Sequence, residues 1–250
     1  LISSEQIEEL KNDYPNVRIG QWFLDPLNKK GPDFERNKER ILDKINSVDA
    51  SFLTTSPSVL NFLKNDNNFF IPNPSDKSFE TLNNFKKPCS VDVFFALSHG
   101  VHRGVLKSGK VDDRINFIKK LVESTPNVKF DIYGVNKVQP IWADHYFKTI
   151  SNAKMGLNLS RGEAIKYYSS DRITQIIGNG LVCLIDEKTK YRDFFNDNEM
   201  VFYKNLSDLS EKILKISSDE KIRKNIAKKG KDKYMKYFNS TLVAEFIIDK

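Results

Sequence analysis

Residues 154–185 read KMGLNLSRGEAIKYYSSDRITQIIGNGLVCLI, and this stretch decides the predicted fold. Its first part, 154–159, is predicted to be a strand. Residues 171–179 are predicted to be a helix, and Gly180 provides a natural stop at its end. The continuous apolar run at 181–185 is typical of a strand in a sheet that is covered on both faces. The succession of strand, helix and strand therefore predicts two parallel strands joined by a right-handed crossover.

The same alternation continues on both sides of this stretch. Further strands are predicted at 16–23, 50–54, 91–97, 128–133 and 201–203. Helices are predicted at 33–46, from Ser56-Pro57 through Leu63, and at 112–123, 141–152 and 191–195, with two or three more that close the chain. This pattern predicts an α/β fold with doubly wound, Rossmann-like parallel sheets.

A polar, proline-rich segment divides the chain into two predicted domains. Pro72 and Pro74 flank Asn73, an arrangement that disfavours both a helix and a central strand. We expect a partial N-terminal α/β domain over residues 1–74, a linker over 75–90 and a C-terminal Rossmann-like domain over 91–250.

The composition excludes several classes of protein. The chain has 250 residues, 39% of them hydrophobic, which is enough for a packed core rather than global disorder. No apolar run approaches the roughly 20 residues that a membrane-spanning helix needs. Cys89 and Cys183 cannot form a disulfide framework, and no signal peptide is recognised, so we expect a reducing, cytoplasmic compartment. Because the first residue is Leu1 and not Met, we expect the native beginning to be missing.

The net charge of +7 is concentrated near the C-terminus. We interpret the basic residues there as a solvated helix face, partly offset by Asp219, Glu220 and Asp232. Attraction to anionic lipid head groups or to another polyanion is the alternative. The basic residues in question are Lys212, Lys215, Lys221, Arg223, Lys224, Lys228, Lys229, Lys231, Lys233 and Lys236.

Ligands of doubly wound sheets bind at the carboxyl ends of the strands, so the residues that follow each strand are candidates. The first such segment is SHGVHRG at 98–104, where Gly100 permits close backbone approach and Arg103 offers a fork for phosphate. It is not the dinucleotide fingerprint, and a plain turn is the alternative. Gly134, after the next strand, is either a turn glycine or bare backbone beneath a nucleotide base.

The third segment begins with Ser160 and Arg161 and leads into the helix that starts near Asp171. A helix N-terminus suits a phosphate group, and Arg172 in its first turn is better explained if an anion binds there. Gln175 lies on the same helix face and could hydrogen-bond a ribose or sugar hydroxyl. A surface arginine without a role and a glutamine that caps backbone remain the alternatives.

Several short motifs occur in a fixed order through the second half of the chain. They are Ala153-Lys154, LNLS at 157–160, Arg172, Gln175, GNGLVCL at 178–184, Phe194-Phe195 and the helical stretch 208–230. This order resembles the C-terminal domain of GT-B glycosyltransferases, in particular the CgeB-like branch of glycosyltransferase group 1. The resemblance covers about residues 91–250 and extends weakly to 22–26 and 71–73.

The resemblance implies two Rossmann-like domains that face a cleft. The C-terminal domain would hold a nucleotide-sugar donor, and the N-terminal domain, which is incomplete here, would hold a glycan, lipid-linked or protein acceptor. It also implies transfer without an essential metal or cofactor, with basic side chains and a helix dipole stabilising the leaving nucleotide diphosphate. Contact with the inner face of a membrane is a further implication of the family.

The donor-binding candidates are Gly100, Arg103, Gly134, Ser160, Arg161, Arg172 and Gln175. Asp25 and His102 are the catalytic candidates. Asp25 is a candidate for the general base that deprotonates the acceptor hydroxyl, whereas His99 and His102 lie on the donor side and could instead contact phosphate or sugar. A capping aspartate and packed or solvent-facing histidines are the alternatives.

Other functions stay open. The family usually has Glu where this chain has Gln175, and a carboxylate would accept two hydrogen bonds from a vicinal diol. A degenerate domain that binds nucleotide or carbohydrate without transfer is therefore the second hypothesis. A nucleic-acid-binding protein lacks a recognisable reader motif, and an NAD-dependent enzyme lacks the glycine fingerprint.

Overall fold

The computed structural model describes residues 2–31, 33–97, 112–135 and 137–250, and these contain two parallel sheets. The first sheet has the order β1-β2-β3, and the second has the order β5-β4-β6-β7-β8. The strands are β1 (Gly20–Phe23), β2 (Ala50–Leu53), β3 (Asn68–Phe70), β4 (Val91–Ala96), β5 (Phe130–Tyr133), β6 (Ala153–Asn158), β7 (Val182–Asp186) and β8 (Val201–Tyr203). This architecture confirms the predicted α/β fold with Rossmann-like parallel sheets.

The described residues form eight α-helices, and the third to the seventh of them cover both faces of the second sheet. The eight helices are α1 (Ser4–Asp13), α2 (Phe34–Leu42), α3 (Asp113–Ser124), α4 (Ala143–Ile150), α5 (Arg172–Gly178), α6 (Leu206–Ser218), α7 (Glu220–Tyr237) and α8 (Ser240–Ile248). Phe95 of β4 faces a core shared with α3 and α6, whereas its neighbour Phe94 faces one shared with α4, α5 and α7. Burial on both faces explains why β4 and β7 are mostly apolar, with Asp92 in β4 and Asp186 at the end of β7 as the exceptions.

The strand order places a topological switch point between β4 and β6. From β4 the chain passes through α3 to β5 on one side, and then through α4 to β6 on the other side. The crossovers diverge at this point, and they leave a crevice outside the carboxyl ends of the two strands. The candidate site lies at this crevice.

Two predicted helices are wrong: the one at 191–195 is only a 3₁₀ turn at Tyr191–Asp193, and the other is the one predicted to begin at Ser56. Instead of a helix running from Ser56-Pro57 to Leu63, the structure has a single 3₁₀ turn at Pro57–Val59. The Ser56 hydroxyl lies 2.9 Å from the Ser58 hydroxyl and does not cap a helix. Leu60 packs into the core of the first sheet, and this tertiary contact prevails over the local start signal.

Helix α8 leaves the second sheet and packs against the first. Val243 is buried against Phe52 and Ile71, and the Phe246 ring meets the Phe52 ring edge-on at 6.5 Å between centroids. The two chain crossings between the sheets are hydrogen-bonded to each other through Ser75, which donates to the Phe238 carbonyl and accepts from the Ser240 amide at 2.8 Å each. These hydrogen bonds form a parallel bridge between Ser75 and Asn239, which ties the two connections together at one place.

The carboxylate of Asp76 stabilises this crossing through hydrogen bonds, and the stability that it contributes depends on pH. The carboxylate accepts hydrogen bonds from the Ser240 hydroxyl at 2.6 Å and from the amide and hydroxyl of Ser78. These donors lower the pKa of Asp76 to about 2. A depressed pKa stabilises the fold above the unfolded value of 3.8, and the contribution is lost as the pH falls towards 2.

We therefore expect Asp76→Asn to unfold more easily than the wild type at pH 7, with a difference that shrinks between pH 4 and pH 2. Urea unfolding across this pH range measures the free energy of unfolding of both chains. Asp66→Asn, at an exposed position, is the matched control and should follow the wild-type curve. A difference between Asp76→Asn and wild type that stays constant down to pH 2 would contradict the role of this carboxylate.

Among the described residues, the helices are too short or too polar for any of them to cross a membrane.

Candidate functional site

A cavity of about 250 Å³ opens beside the carboxyl end of β4, at the switch point of the second sheet. The residues that line it come from the end of β4, the start of α4 and the start of α5. One wall is apolar and largely aromatic, and the other carries charged and amide side chains. The lining residues are Ala96, Leu97, Ile141, Trp142, Ala143, Tyr146, Phe147, Asp171, Arg172 and Gln175. Two of the predicted donor-binding residues, Arg172 and Gln175, are thus brought together in this cavity.

The guanidinium group of Arg172 is fixed at the ends of the two switch-point strands. Its Nε donates to the Ala96 carbonyl at 3.1 Å, and its Nη1 donates to the Leu159 carbonyl at 3.2 Å and to the Ser170 hydroxyl at 3.0 Å. The group also lies over the Phe95 ring, 5.2 Å from its centroid. Among the described residues, Nη2 has no hydrogen-bond acceptor. A preorganised pair of N–H donors is therefore left for a ligand.

Arg114 is a second buried guanidinium that the sequence did not single out. It lies at the start of α3, where its Nε donates to Asp112 at 2.9 Å. Burial lowers the pKa of Arg172, and the charge of Arg114 lowers it further, so the two cations lie close together. The helical pattern of α3 did not distinguish a buried arginine from a solvated one. The spacing of Asp112 and Arg114 across a helix cap was the available signal.

The aromatic wall contributes a hydroxyl that stays protonated. Tyr146 is largely buried, and this burial raises its pKa to about 12. Trp142, at the rim, is 59% exposed. Flat, apolar rings beside a fixed cation suit a ligand with a planar or sugar ring and an anionic group.

Gln175 contacts Glu80, a residue of the predicted linker. Its Nε2 donates to Oε1 of Glu80 at 3.2 Å, and Glu80 is only 4% exposed. Helix α5 itself has only seven residues, so its dipole is shorter than the predicted helix implied.

Other predicted site residues lie elsewhere or outside the description. Gly100, His102, Arg103 and the neighbouring His99 lie outside the described residues. Gly134 has a φ of 78°, and a Cβ there would lie 2.3 Å from the Leu97 carbonyl oxygen. Close approach of the chain after β5 to the end of β4 is therefore sufficient to require glycine. Neither Gly134 nor the half-buried Ser160 lines the cavity.

Arg161 and Asp25 are directed to contacts at the first sheet. Arg161 pairs with Asp33 at 2.6 Å, and its carbonyl accepts from Asn28, so it bridges loops of the two sheets. Asp25 is exposed and pairs with Arg40 at 3.1 Å. Burial raises the pKa of Tyr168, and the charges of Asp25 and Asp171 add to this rise. Asp25 does not line the cavity.

Some basic residues of the C-terminal helices are structural rather than solvated. Arg223 is fully buried and donates to the carbonyls of Asn84 and Lys87. Lys231 donates to the carbonyls of Glu80 and Leu82. The interpretation as a solvated face is wrong for these two residues, because they hold the segment between the sheets against α7. Within the described ranges, no three His, Cys, Asp or Glu side chains gather as metal ligands.

Comparison with known proteins agrees with this geometry. Residues 114–249, more than half of the chain, match the model of a family described as Glycosyl transferase-like. No curated protein matches the chain in sequence.

Three solved structures are similar to the chain. TarM has a TM-score of 0.68 at 13% identity, over 98% of this chain and 53% of TarM. HepE of Anabaena, in complex with UDP and glucose, has a TM-score of 0.66 at 11% identity, over 99% of this chain and 75% of HepE. An alpha-glucosyltransferase in complex with UDP-glucose and DNA has a TM-score of 0.64 at 11% identity, over 98% of this chain and 74% of its own.

Identities this low show the fold, which is of the GT-B type. The chain spans about half the length of TarM. Structural similarity shows only the fold, whereas the family model matches the sequence itself. The match covers α3 to α8 and includes Arg114, Arg172 and Gln175. On this basis the chain is a member of the Glycosyl transferase-like family.

Proposed function

We propose that the chain takes part in the transfer of a sugar from a nucleotide-diphosphate donor to a hydroxyl group of an acceptor. The observation that carries the proposal is Arg172, whose guanidinium is fixed by two strand-end carbonyls and keeps Nη2 without an acceptor among the described residues. The family match supports glycosyl transfer, and the UDP and UDP-glucose complexes of HepE and the alpha-glucosyltransferase support a uridine diphosphate donor.

Each wall of the cavity has a role in this proposal. Trp142, Tyr146 and Phe147 offer aromatic surface to the base or sugar ring. When the bond between the anomeric carbon and the phosphate oxygen breaks, negative charge grows on the leaving diphosphate. Arg172 stabilises this charge with donors that are already in place. Transfer without an essential metal is part of the proposal.

The acceptor side rests on fewer contacts. Asp25 is an exposed carboxylate just beyond β1, and it is our candidate for the base that removes the acceptor proton. His102 is the other catalytic candidate. The acceptor class, which is a glycan, lipid-linked or protein hydroxyl, follows from the family resemblance. Membership of the CgeB-like branch, a cytoplasmic location and contact with a membrane remain predictions of the same kind.

A thermal-shift panel of UDP, GDP, ADP, CMP and their sugars, with EDTA present, tests the donor site. We expect one nucleotide diphosphate to raise the melting temperature in a saturable manner, since a ligand at 100 times its Kd stabilises by about 2.7 kcal/mol. Failure of all of these nucleotides to stabilise the chain would contradict the proposal.

A degenerate, binding-only domain is the second candidate, and the amide of Gln175 in a sugar-nucleotide site favours it. Release of free nucleotide from the stabilising nucleotide sugar, measured with a set of hydroxyl acceptors, separates the two candidates. Tight binding without release for any acceptor supports the binding-only domain and contradicts transfer.

A further inference from the structure

Glu80 is a buried carboxylate in the segment between the sheets, and it lies behind the cavity rather than in its lining. Both of its oxygens have partners. Oε1 accepts from Nε2 of Gln175 at 3.2 Å, and Oε2 accepts from the backbone amide of Asp76 at 2.6 Å. The carboxylate therefore joins the segment between the sheets to a side chain that lines the cavity.

The surroundings of Glu80 are shaped to hold it there. Gly178 lies on α5 next to the Glu80 side chain, and a Cβ at this position would come within 2.4 Å of Cγ of Glu80. On the opposite side, Nζ of Lys231 donates to the carbonyls of Glu80 and Leu82 at 3.2 and 2.6 Å. The carboxylate thus has little freedom to move away from Gln175.

This contact determines which end of the Gln175 amide faces the cavity. Burial raises the pKa of Glu80. In its ionised form the carboxylate only accepts hydrogen bonds, so it selects the NH₂ group of the amide. Oε1 of Gln175 is then left, and among the described residues it has no donor. Because Gln175 lines the cavity, the carbonyl oxygen is the end of the amide that a ligand meets.

We propose that Glu80 is a positioning residue that holds the Gln175 amide with its carbonyl oxygen towards the cavity, where it accepts a hydrogen bond from a ribose hydroxyl of the nucleotide. The proposal rests on the donor site described under the proposed function. It assigns a role to a residue outside the cavity, acting through Gln175.

Glu80→Gln is the sharpest variant, because it is isosteric. Its amide oxygen still accepts from the Asp76 amide, but its NH₂ group now faces Gln175. The Gln175 amide must turn to accept this hydrogen bond, and it then presents its own NH₂ group to the cavity. In the double variant Glu80→Gln/Gln175→Glu the hydrogen bond is reversed, because the NH₂ group at position 80 donates to the carboxylate at position 175, and the other carboxylate oxygen again places an acceptor towards the cavity.

Calorimetric titration at pH 8 with UDP and with 2′,3′-dideoxy-UDP tests the proposal. We expect Glu80→Gln to bind UDP about tenfold more weakly, as for the loss of one hydrogen bond worth about 1.4 kcal/mol, and to bind dideoxy-UDP as the wild type does. The double variant should bind UDP within about threefold of the wild type. Equal losses for both nucleotides in Glu80→Gln, or no recovery in the double variant, would overturn the proposal, since a merely structural role affects both ligands alike.

A ligand-free measurement separates this proposal from the proposed function. In ¹⁵N-labelled chain without nucleotide, the side-chain NH₂ signal of Gln175 should exchange slowly with water, and it should shift and exchange faster in Glu80→Gln. Glu8→Gln, at an exposed position, is the control. If the wild type binds UDP but the shift and exchange rate of the Gln175 signal are the same in Glu80→Gln, positioning by Glu80 is overturned. A wild type that binds no UDP overturns the ribose contact and the donor site together, while the NMR result still decides the geometry.

Discussion

Replacing Arg172 with lysine should weaken binding of the nucleoside diphosphate at least tenfold, and replacing it with alanine should weaken it about a hundredfold. Hydrogen bonds to charged groups contribute about 1.5–3 kcal/mol, which corresponds to roughly 10- to 100-fold in affinity. Arg172 holds the Ala96 and Leu159 carbonyls with Nε and Nη1 while Nη2 stays available. The single ammonium of lysine cannot serve the two carbonyls and a diphosphate in this planar arrangement.

Calorimetric titration at low salt measures the affinity, and circular dichroism melting checks that each variant is folded. Arg192→Lys is the control, because Arg192 pairs with Asp197 on the surface, away from the cavity. It should bind as the wild type does. If a folded Arg172→Lys chain retains the wild-type affinity, Arg172 does not bind the diphosphate.

The second large effect is on stability. Arg223→Met should lower the free energy of unfolding by about 3 kcal/mol. The Arg223 guanidinium is fully buried and donates to the carbonyls of Asn84 and Lys87 at 2.8 and 3.0 Å and to Glu220 at 2.7 Å. Methionine fills a similar volume, but it leaves the two carbonyls without these donors inside the protein.

Urea unfolding gives the free energy of unfolding and the m-value for each chain. Lys224→Met, one residue further along α7 and exposed, should stay within about 0.5 kcal/mol of the wild type. If Arg223→Met lowers the free energy of unfolding by less than about 1 kcal/mol, the hydrogen bonds of Arg223 do not hold the segment between the sheets.

The alternation of apolar runs and helical patterns predicted the fold because each signal is local. The run at 181–185 that became β7 is apolar throughout, and the run that became β4 is apolar except for Asp92. Gly180, with a φ of 76°, follows the end of α5 where expected. The destination of α8 was not predictable in this way. One face of this helix packs through Val243, Phe246 and Ile247, but nothing local indicates that its partner is the sheet at the other end of the chain.

The sequence predicted those residues of the candidate site that directly follow a strand, but not those that reach it from distant parts of the chain. Arg172 and Gln175 follow a strand at the start of a helix, so the switch-point rule located them. Glu80 contacts Gln175 across 95 positions of sequence, and Arg114 reaches Arg172 from a different helix. Arg161 follows the same strand as Arg172, yet its partner Asp33 belongs to the first sheet. Pairings of this kind depend on tertiary packing, which the local pattern does not encode.

The structure of the chain crystallised with UDP is the most direct test of the claim that the cavity at the end of β4 is the donor site. We predict a diphosphate within hydrogen-bond distance of Nη2 of Arg172, with the nucleoside against the aromatic wall that includes Trp142. UDP bound instead in the surface cavity lined by Lys77, Lys231 and Lys236, with the cavity beside Arg172 left empty, would contradict it.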